Sequence, residues 1–313
     1  MQGISIIIVS WNAQKFLRGC LESIRLHGGP GICETIVVDN SSSDGSPELV
    51  ENEFPEVMLV RAGGNLGFAR ANNLGIARAS GDYLALVNSD VELHANCFER
   101  LIQFFKDRPD VGLAGPKIIG ADGLLQCSCR KLPNVWRIGC RILALDAAFP
   151  NSSLFAGRDV RNLDSDNPME VEVLSGCFWL ARTEAVKQVG GLDERFFFYA
   201  EDVDWCKRFQ ENGWKIAFVP TATATHFGGG SSSNAPLRYS IEILRANLIY
   251  WKKHHGSIGQ FGYYVMSLTH HGLRFLPRGF LRIIGLRSGE EATFKFQEDL
   301  VCLRWLLTGK GVQ

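Results

Sequence analysis

The chain has 313 residues, 33 Lys+Arg against 33 Asp+Glu, 46% hydrophobic and 11% aromatic content. That length holds one large domain, or a domain with an appendage, and the apolar content excludes a disordered chain. A zero charge balance argues against a general nucleic-acid binder.

Ile4–Val9 is an apolar, β-branched run that predicts a strand, too short for a signal peptide or a membrane span. A helix-period segment follows, with Phe16, Leu17, Cys20, Leu21 and Ile24 on one face. Thr35–Asp39 predicts a second strand that ends on an acid, and Ser46–Phe54 a short helix with Pro47 in its first turn. Val57–Arg61 reads as a third strand, Phe68–Ala79 as a helix, Tyr83–Asn88 as a fourth strand and Asn96–Lys106 as another helix. Continuous apolar strands between amphipathic helices make a mostly parallel, Rossmann-like sheet covered on both faces. In such α/β sheets ligands lie beyond the carboxyl ends of the strands, which selects Ser10–Asn12, Asp39–Asp44, Gly63–Arg70 and Asn88–Asp90.

From about 120 to 170 the pattern decays into Pro, Asn, Ser and Asp, which reads as a long mobile insertion. Val171–Arg182, a helix from Thr183, Val203–Asn212 and a strand at Lys215–Val219 follow. Residues 235–313 read as helices, with Arg238–Lys253 the clearest. The expected organisation is a catalytic domain over 1–234, its halves at about 1–120 and 171–234, and a helical extension over 235–313.

The two parts differ in charge. Residues 1–234 hold 22 basic and 28 acidic side chains; residues 235–313 hold 11 and 5, plus four of the seven His. Lys252, Lys253, Arg274, Arg278, Arg282 and Arg287 flank an aromatic-apolar stretch without Lys, Arg, Asp or Glu over 254–273. That pattern suits a membrane interface with anionic headgroups; a cap docked on the catalytic domain or a homodimer contact is the alternative. The nine Cys lack zinc-like spacing and read as buried or idle thiols of a reducing, cytoplasmic compartment.

Several residues carry chemistry. Asp39, with Asn40-Ser41-Ser42 after it, can accept hydrogen bonds from a nucleobase or ribose, although the same run is also a turn. In Gly63-Gly64-Asn65-Leu66-Gly67-Phe68-Ala69-Arg70 the glycines let backbone approach a ligand, and Arg70 lies in a helix's first turn, where phosphate is welcome. Asn88-Ser89-Asp90 leaves a buried strand and supplies one carboxylate to a hard cation; a turn acid is the structural reading. Glu201 and Asp202 follow the run Phe196-Phe197-Phe198-Tyr199-Ala200, with Asp202 near a helix N-terminus that favours its ionised form. An N-cap role alone is the alternative there. His226 precedes Gly228–Ser233, a flexible clamp, and is a candidate metal ligand. Trp179 and Trp205 are candidates for an acceptor-sugar wall, or ordinary core.

Taken in order, Ile6-Ile7-Ile8-Val9-Ser10-Trp11-Asn12, Val37-Val38-Asp39-Asn40-Ser41-Ser42, Asn65-Leu66-Gly67-Phe68-Ala69, Asn88-Ser89-Asp90 and Glu201-Asp202 resemble the GT-A glycosyltransferases of family 2, in particular the bacterial rhamnosyltransferase branch. The resemblance covers roughly residues 4–234. It implies a GT-A fold, a nucleoside-diphosphate-sugar donor such as dTDP-rhamnose, a Mg²⁺ or Mn²⁺ ion, and inversion at the anomeric carbon. It also implies a saccharide or lipid-linked acceptor in cell-surface polysaccharide synthesis, at the inner face of the membrane. Carried over, Asp39 holds the base, Asp90 and His226 the metal, and Asp202, beside Glu201, is the catalytic base. Ser10, Asn12, Asn65, Gly67, Arg70 and Ser89 join the donor site. The family's D-x-D often begins with Asp where this chain has Asn88, which is therefore assigned to ribose or a water-mediated contact. A UDP-hexose transferase and a catalytically silent nucleotide-sugar-binding module are the alternatives. No dinucleotide fingerprint or glycine-rich loop follows the first strand, which disfavours a dehydrogenase or nucleotidyltransferase.

Overall fold

The computed structural model describes residues 3–149, 152, 154–155, 157–160, 163, 166–228, 236–283 and 289–310. Most of the Gly228–Ser233 clamp and Arg287 lie outside the described residues, as does the side chain of Arg282.

Chain order begins β1 (Ile4–Ser10), α1 (Gln14–His27), β2 (Ile32–Asp39), α2 (Ser46–Glu53), β3 (Met58–Arg61), α3 (Phe68–Ile76) and β4 (Tyr83–Asn88). It continues with β5 (Val91–Leu93), α4 (Cys97–Asp107), β6 (Val111–Gly120), β7 (Cys129–Arg130), α5 (Val135–Ile142) and α6 (Leu145–Ala148). The second half holds β8 (Met169–Glu170), β9 (Val173–Leu174), β10 (Phe178–Arg182), α7 (Thr183–Val189), α8 (Glu201–Glu211), β11 (Lys215–His226), α9 (Pro236–Ile283) and α10 (Glu290–Thr308).

Two units form. The first comprises Met1–Leu132, Asp159–Phe197 and Glu201–Ser231, and holds every strand. Its main sheet runs β3-β2-β1-β4-β10-β6-β11-β5, with β8 on β11. The β3-β2-β1-β4 half is parallel, β10 enters antiparallel, and β6 and β11 are parallel to each other. The expected α/β architecture is therefore present. Ile6, Ile7, Ile8, Ile36, Val37 and Val38 are completely buried because helices cover both faces of this sheet. Each such side chain contributes roughly 1.5–3 kcal/mol of apolar burial. The helix α1 buries Leu17, Cys20, Leu21 and Ile24, while Phe16 stays half-buried at the edge of that face.

The second unit comprises Pro133–Arg158, Phe198–Ala200 and Ser232–Gln313. The helical extension thus recruits part of the stretch read as an insertion: α5 packs on α9, and α6 on α5, where the sequence predicts a loop. Asn134 caps α5 by accepting a hydrogen bond from the Arg137 amide at 2.8 Å. The long α9 is two helices merged across Gly256, whose φ of 67° breaks the helical path. Leu244, Cys302 and Leu306 form the core between α9 and α10, with Tyr264, Leu268 and Trp305 against it.

Candidate active site

The carboxyl ends of the parallel strands shape the first half of the site. Asp39, 4% exposed at the end of β2, accepts hydrogen bonds from the Ser42 amide at 3.2 and 3.3 Å. Asn40 then reaches across to the glycine loop. Its Nδ2 donates to Asn65 Oδ1 at 3.0 Å, and its Oδ1 accepts the Leu66 amide at 2.8 Å. Asn65 Oδ1 also accepts the Gly67 amide at 3.1 Å. The Oδ1 of Asn65 thus serves the loop's internal bonds, and Asn40 is a site-shaping residue the sequence reading did not single out.

Asn12 behaves similarly. It adopts a left-handed backbone (φ 49°), its amide donates to Ser42 Oγ at 3.0 Å, and its Oδ1 accepts the Ser43 amide at 2.8 Å. It braces the turn after β2. Ser10 is fully buried, and its Oγ finds no hydrogen-bond partner among the described residues. Arg70 sits in the first turn of α3, more than half exposed, with Nε 3.7 Å from Glu194 Oε2. Gly67 caps α3 at φ 79°, and a Cβ there would meet Phe197 O at 2.4 Å, so only glycine fits. The Phe68 amide donates to that same carbonyl at 2.8 Å, tying the loop to the segment before α8.

A second group forms beyond β4. Asn88 ends this strand, half-buried, and its backbone amide bonds Cys177 O at 2.9 Å. Ser89 and Asp90 follow, also half-buried. The strand predicted at Lys215–Val219 runs on to His226, which pairs with Val91 and so arrives beside Asp90. His226 Nε2 lies 3.3 Å from Asp90 Oδ1. Its Nδ1 lies 2.9 Å from Gln126 Oε1, while Gln126 Nε2 donates to His226 O at 2.9 Å. That second bond fixes the amide orientation, so Nδ1 is the nitrogen that donates to Gln126 and Nε2 the one turned to Asp90. A contact of 3.3 Å between Nε2 and a carboxylate oxygen is satisfied by a proton or a cation between them.

This donor set fits a hard divalent ion. Among the described residues no cluster of three or more His, Cys, Asp or Glu exists, so at such an ion the chain would supply the Asp90 carboxylate and the His226 imidazole alone. The other positions would fall to phosphate oxygens and water, the usual arrangement for Mg²⁺-type ions at diphosphates. The His226–Gln126 bond is the kind of outer contact that orients a ligating imidazole.

The acid pair lies at the start of α8. Asp202 forms an ion pair with Arg130 on β7, the latter placed by antiparallel pairing with Val173 on β9. The other oxygen of Asp202 accepts the Val203 amide at 2.8 Å. A carboxylate offers about four acceptor directions, so room for a further donor remains. Glu201 is buried, and its Oε2 has no hydrogen-bond partner among the described residues. Burial first, then the neighbouring Asp202 charge, pushes its carboxyl well above the usual range.

One short segment contributes to both groups. Gln126 and Arg130 are four positions apart on one segment, which at full extension spans no more than about 14 Å. The buried Cys177 thiol, pushed up to about 11 chiefly by burial, is raised further by the Asp90 charge and lowered by Arg130. Trp179 and Trp205 do not line this region. Both are completely buried, their rings 5.1 Å apart, and neither presents a face to a sugar.

Sequence and structure comparisons place the chain in a family and a fold. The model of the family described as "Glycosyl transferase family 2" matches residues 5–190. The N-acetylglucosaminyl-diphospho-decaprenol L-rhamnosyltransferase of Mycobacterium tuberculosis is 30% identical over 264 residues, 80% of this chain and 85% of that one. The low-salt glycan biosynthesis hexosyltransferase Agl10 of Haloferax volcanii is 24% identical over 72% of this chain and 67% of its own. Among solved structures, the mannosyltransferase PcManGT of Pyrobaculum calidifontis, in complex with GDP-Man and Mn²⁺, superposes with a TM-score of 0.60 at 15% identity. That match covers 99% of this chain and 88% of the other. TarS of S. aureus, in complex with UDP-GlcNAc, gives 0.53 at 17% identity over 97% and 81%. With more than half its length inside the family model, and a relative 30% identical over 80% of the chain, this chain belongs to glycosyl transferase family 2.

Proposed function

We propose that this glycosyltransferase moves a sugar, with inversion, from a nucleoside-diphosphate sugar to a saccharide or lipid-linked saccharide acceptor during cell-surface polysaccharide synthesis. The observation that carries the reading is the short Gln126–Arg130 segment, which links the Asp90–His226 pair to the Asp202 carboxylate. Asp39 and the turn braced by Asn12 would receive the nucleoside, and Arg70 the phosphates. Asp90 and His226 would hold Mg²⁺ or Mn²⁺, which when bound neutralises charge on the departing diphosphate. Asp202 would take the acceptor hydroxyl's proton as that oxygen attacks the anomeric carbon from the opposite face. Burial and the neighbouring Asp202 charge disfavour the ionised form of Glu201, whereas Asp202 has the Arg130 guanidinium against it.

A rhamnosyl donor such as dTDP-rhamnose is favoured by the mycobacterial relative, whose name specifies an L-rhamnosyl group and a diphospho-decaprenol acceptor; work at the inner membrane face is the expectation carried over from the family resemblance. A UDP-hexose donor is the second reading, supported by the UDP-GlcNAc complex of a structural neighbour. Nucleotide release from dTDP-rhamnose and from UDP-GlcNAc, measured side by side, decides between them. For the mechanism, Asp202→Asn is expected to lower transfer about 10²–10⁴-fold while donor affinity stays unchanged. Retained transfer with lost donor binding would overturn the assignment.

A further inference from the structure

In the second unit, the part of α9 after Gly256 turns two unlike faces outward and inward. Tyr264 Oη donates to Leu306 O at 3.1 Å, Phe275 stacks on Phe296 at 5.0 Å, and His271 lies 2.9 Å from Asp299. Arg278 also pairs with the buried Asp299, so that cation is neutralised within the unit. On the opposite side Ile258, Phe261, Val265, Leu273, Leu276 and Phe280 are all exposed, Ile258 to 89% and Leu276 to 71%. At 100° per residue they fall within one stripe, about 33 Å long at 1.5 Å per residue, with Thr269 as its polar member. Stable soluble proteins seldom leave so continuous an apolar face bare.

We infer that this stripe is a bilayer-contact surface: α9 lies in the plane of an anionic membrane with Ile258, Phe261, Val265, Leu273, Leu276 and Phe280 in the acyl boundary. Two observations favour a bilayer over a second copy of the chain. Residues 254–273 contain no Lys, Arg, Asp or Glu, so the stripe lacks the flanking charges that set register in paired helices. The cations stand at its approach instead, at Lys252, which is exposed, and Lys253, within a region holding 11 basic against 5 acidic residues over 235–313. No helix among the described residues is long and apolar enough to cross a membrane, so the mode is one of lying on the surface. This deepens the reading that the acceptor is lipid-linked, but its test does not depend on transfer.

The test is flotation of the full chain with phosphatidylethanolamine vesicles containing phosphatidylglycerol, and with phosphatidylcholine vesicles. Flotation is expected with the anionic vesicles only, and weakened by high salt. The double variant Phe261→Glu/Leu276→Glu should lose at least about tenfold in partitioning. Lys252→Ala and Lys253→Ala should each lose about fivefold, a milder change that keeps the test valid if the double variant misfolds. Absence of flotation with anionic vesicles overturns the inference, as does a dimer in light scattering that the double variant dissociates without any vesicle binding. Nucleotide release from the donor, assayed without vesicles, reports separately on the glycosyltransferase reading.

Discussion

Gln126 and Arg130, four positions apart on one segment, hold different halves of the site: Gln126 bonds His226 at 2.9 Å, and Arg130 pairs with Asp202. A displacement of this segment would disturb cation binding and proton transfer together. For Gln126 the expected consequence is specific. Removal of the amide frees the His226 ring to rotate and lets either nitrogen carry the proton. Gln126→Ala should weaken Mn²⁺ affinity about 10–100-fold, measured by calorimetry with a nucleoside diphosphate present. Unchanged Mn²⁺ affinity would show that the imidazole does not ligate.

Arg130 makes a different prediction. Its side chain is 28% exposed, while the Asp202 side chain is 11% exposed. Arg130→Met leaves a largely buried carboxylate without its cation. The expected cost is about 3 kcal/mol, the lower end for a buried pair because Arg130 retains some solvent. Arg130→Met/Asp202→Asn should recover most of that loss, since neither charge then remains. Urea unfolding of the four proteins gives the coupling, and additive losses would show that the pair contributes nothing as a pair.

The legible and illegible parts of this molecule divide along physical lines. β1, β2 and β4 announce themselves because burial on both faces demands runs of Ile, Val and Leu, and the first helix because α1 repeats its apolar residues at helical spacing. β6 escapes notice because Gly112, Gly115, Pro116 and Gly120 dilute its strand pattern; its place comes from pairing with β10 and β11. β11 reads as ending at Val219 because Pro220 interrupts it, yet the strand resumes after a register shift between Val219 and Thr223 and delivers His226 to Asp90. The Asn134 cap of α5 is a signal that a closer reading of 120–170 could use. Gln126 and Arg130 offer no local signal, since their partners lie 100 and 72 residues away. Asp90, His226, Asp39 and Asp202 stand out from the strand-end rule and motif order; what holds them does not.

Glu201 predicts a pH dependence of stability. Burial, followed by the Asp202 charge, raises its carboxyl from 4.5 to about 8. The folded chain therefore keeps a proton that the unfolded chain releases near the ordinary value. This contribution is fully present below about pH 4.5 and is lost as pH rises through about 8. Glu201→Gln retains the shape without the ionisation, so its advantage over the wild type should grow across that interval and level off above it. Chemical denaturation at several pH values reads the difference. A gap that stays constant from pH 5 to 8 would place the Glu201 carboxyl in the ordinary range.

Gly67 and Gly64 belong to one loop but predict opposite outcomes. Gly67 combines φ 79° with the Phe197 carbonyl 2.4 Å from where a Cβ would stand, whereas nothing lies within 4 Å of a Cβ on Gly64. Gly67→Ala must therefore either strain the backbone or push the Phe197 carbonyl away, which also breaks its bond from the Phe68 amide at 2.8 Å. The expected loss is about 1–3 kcal/mol of stability. Donor affinity should fall as well, because the loop bonded through Asn40 and Asn65 shifts with it. Gly64→Ala should leave stability within about 0.5 kcal/mol, as for other uncrowded surface positions. Equal effects of the two substitutions, in unfolding and in nucleoside-diphosphate calorimetry, would mean that the close approach to Phe197 does not fix the loop.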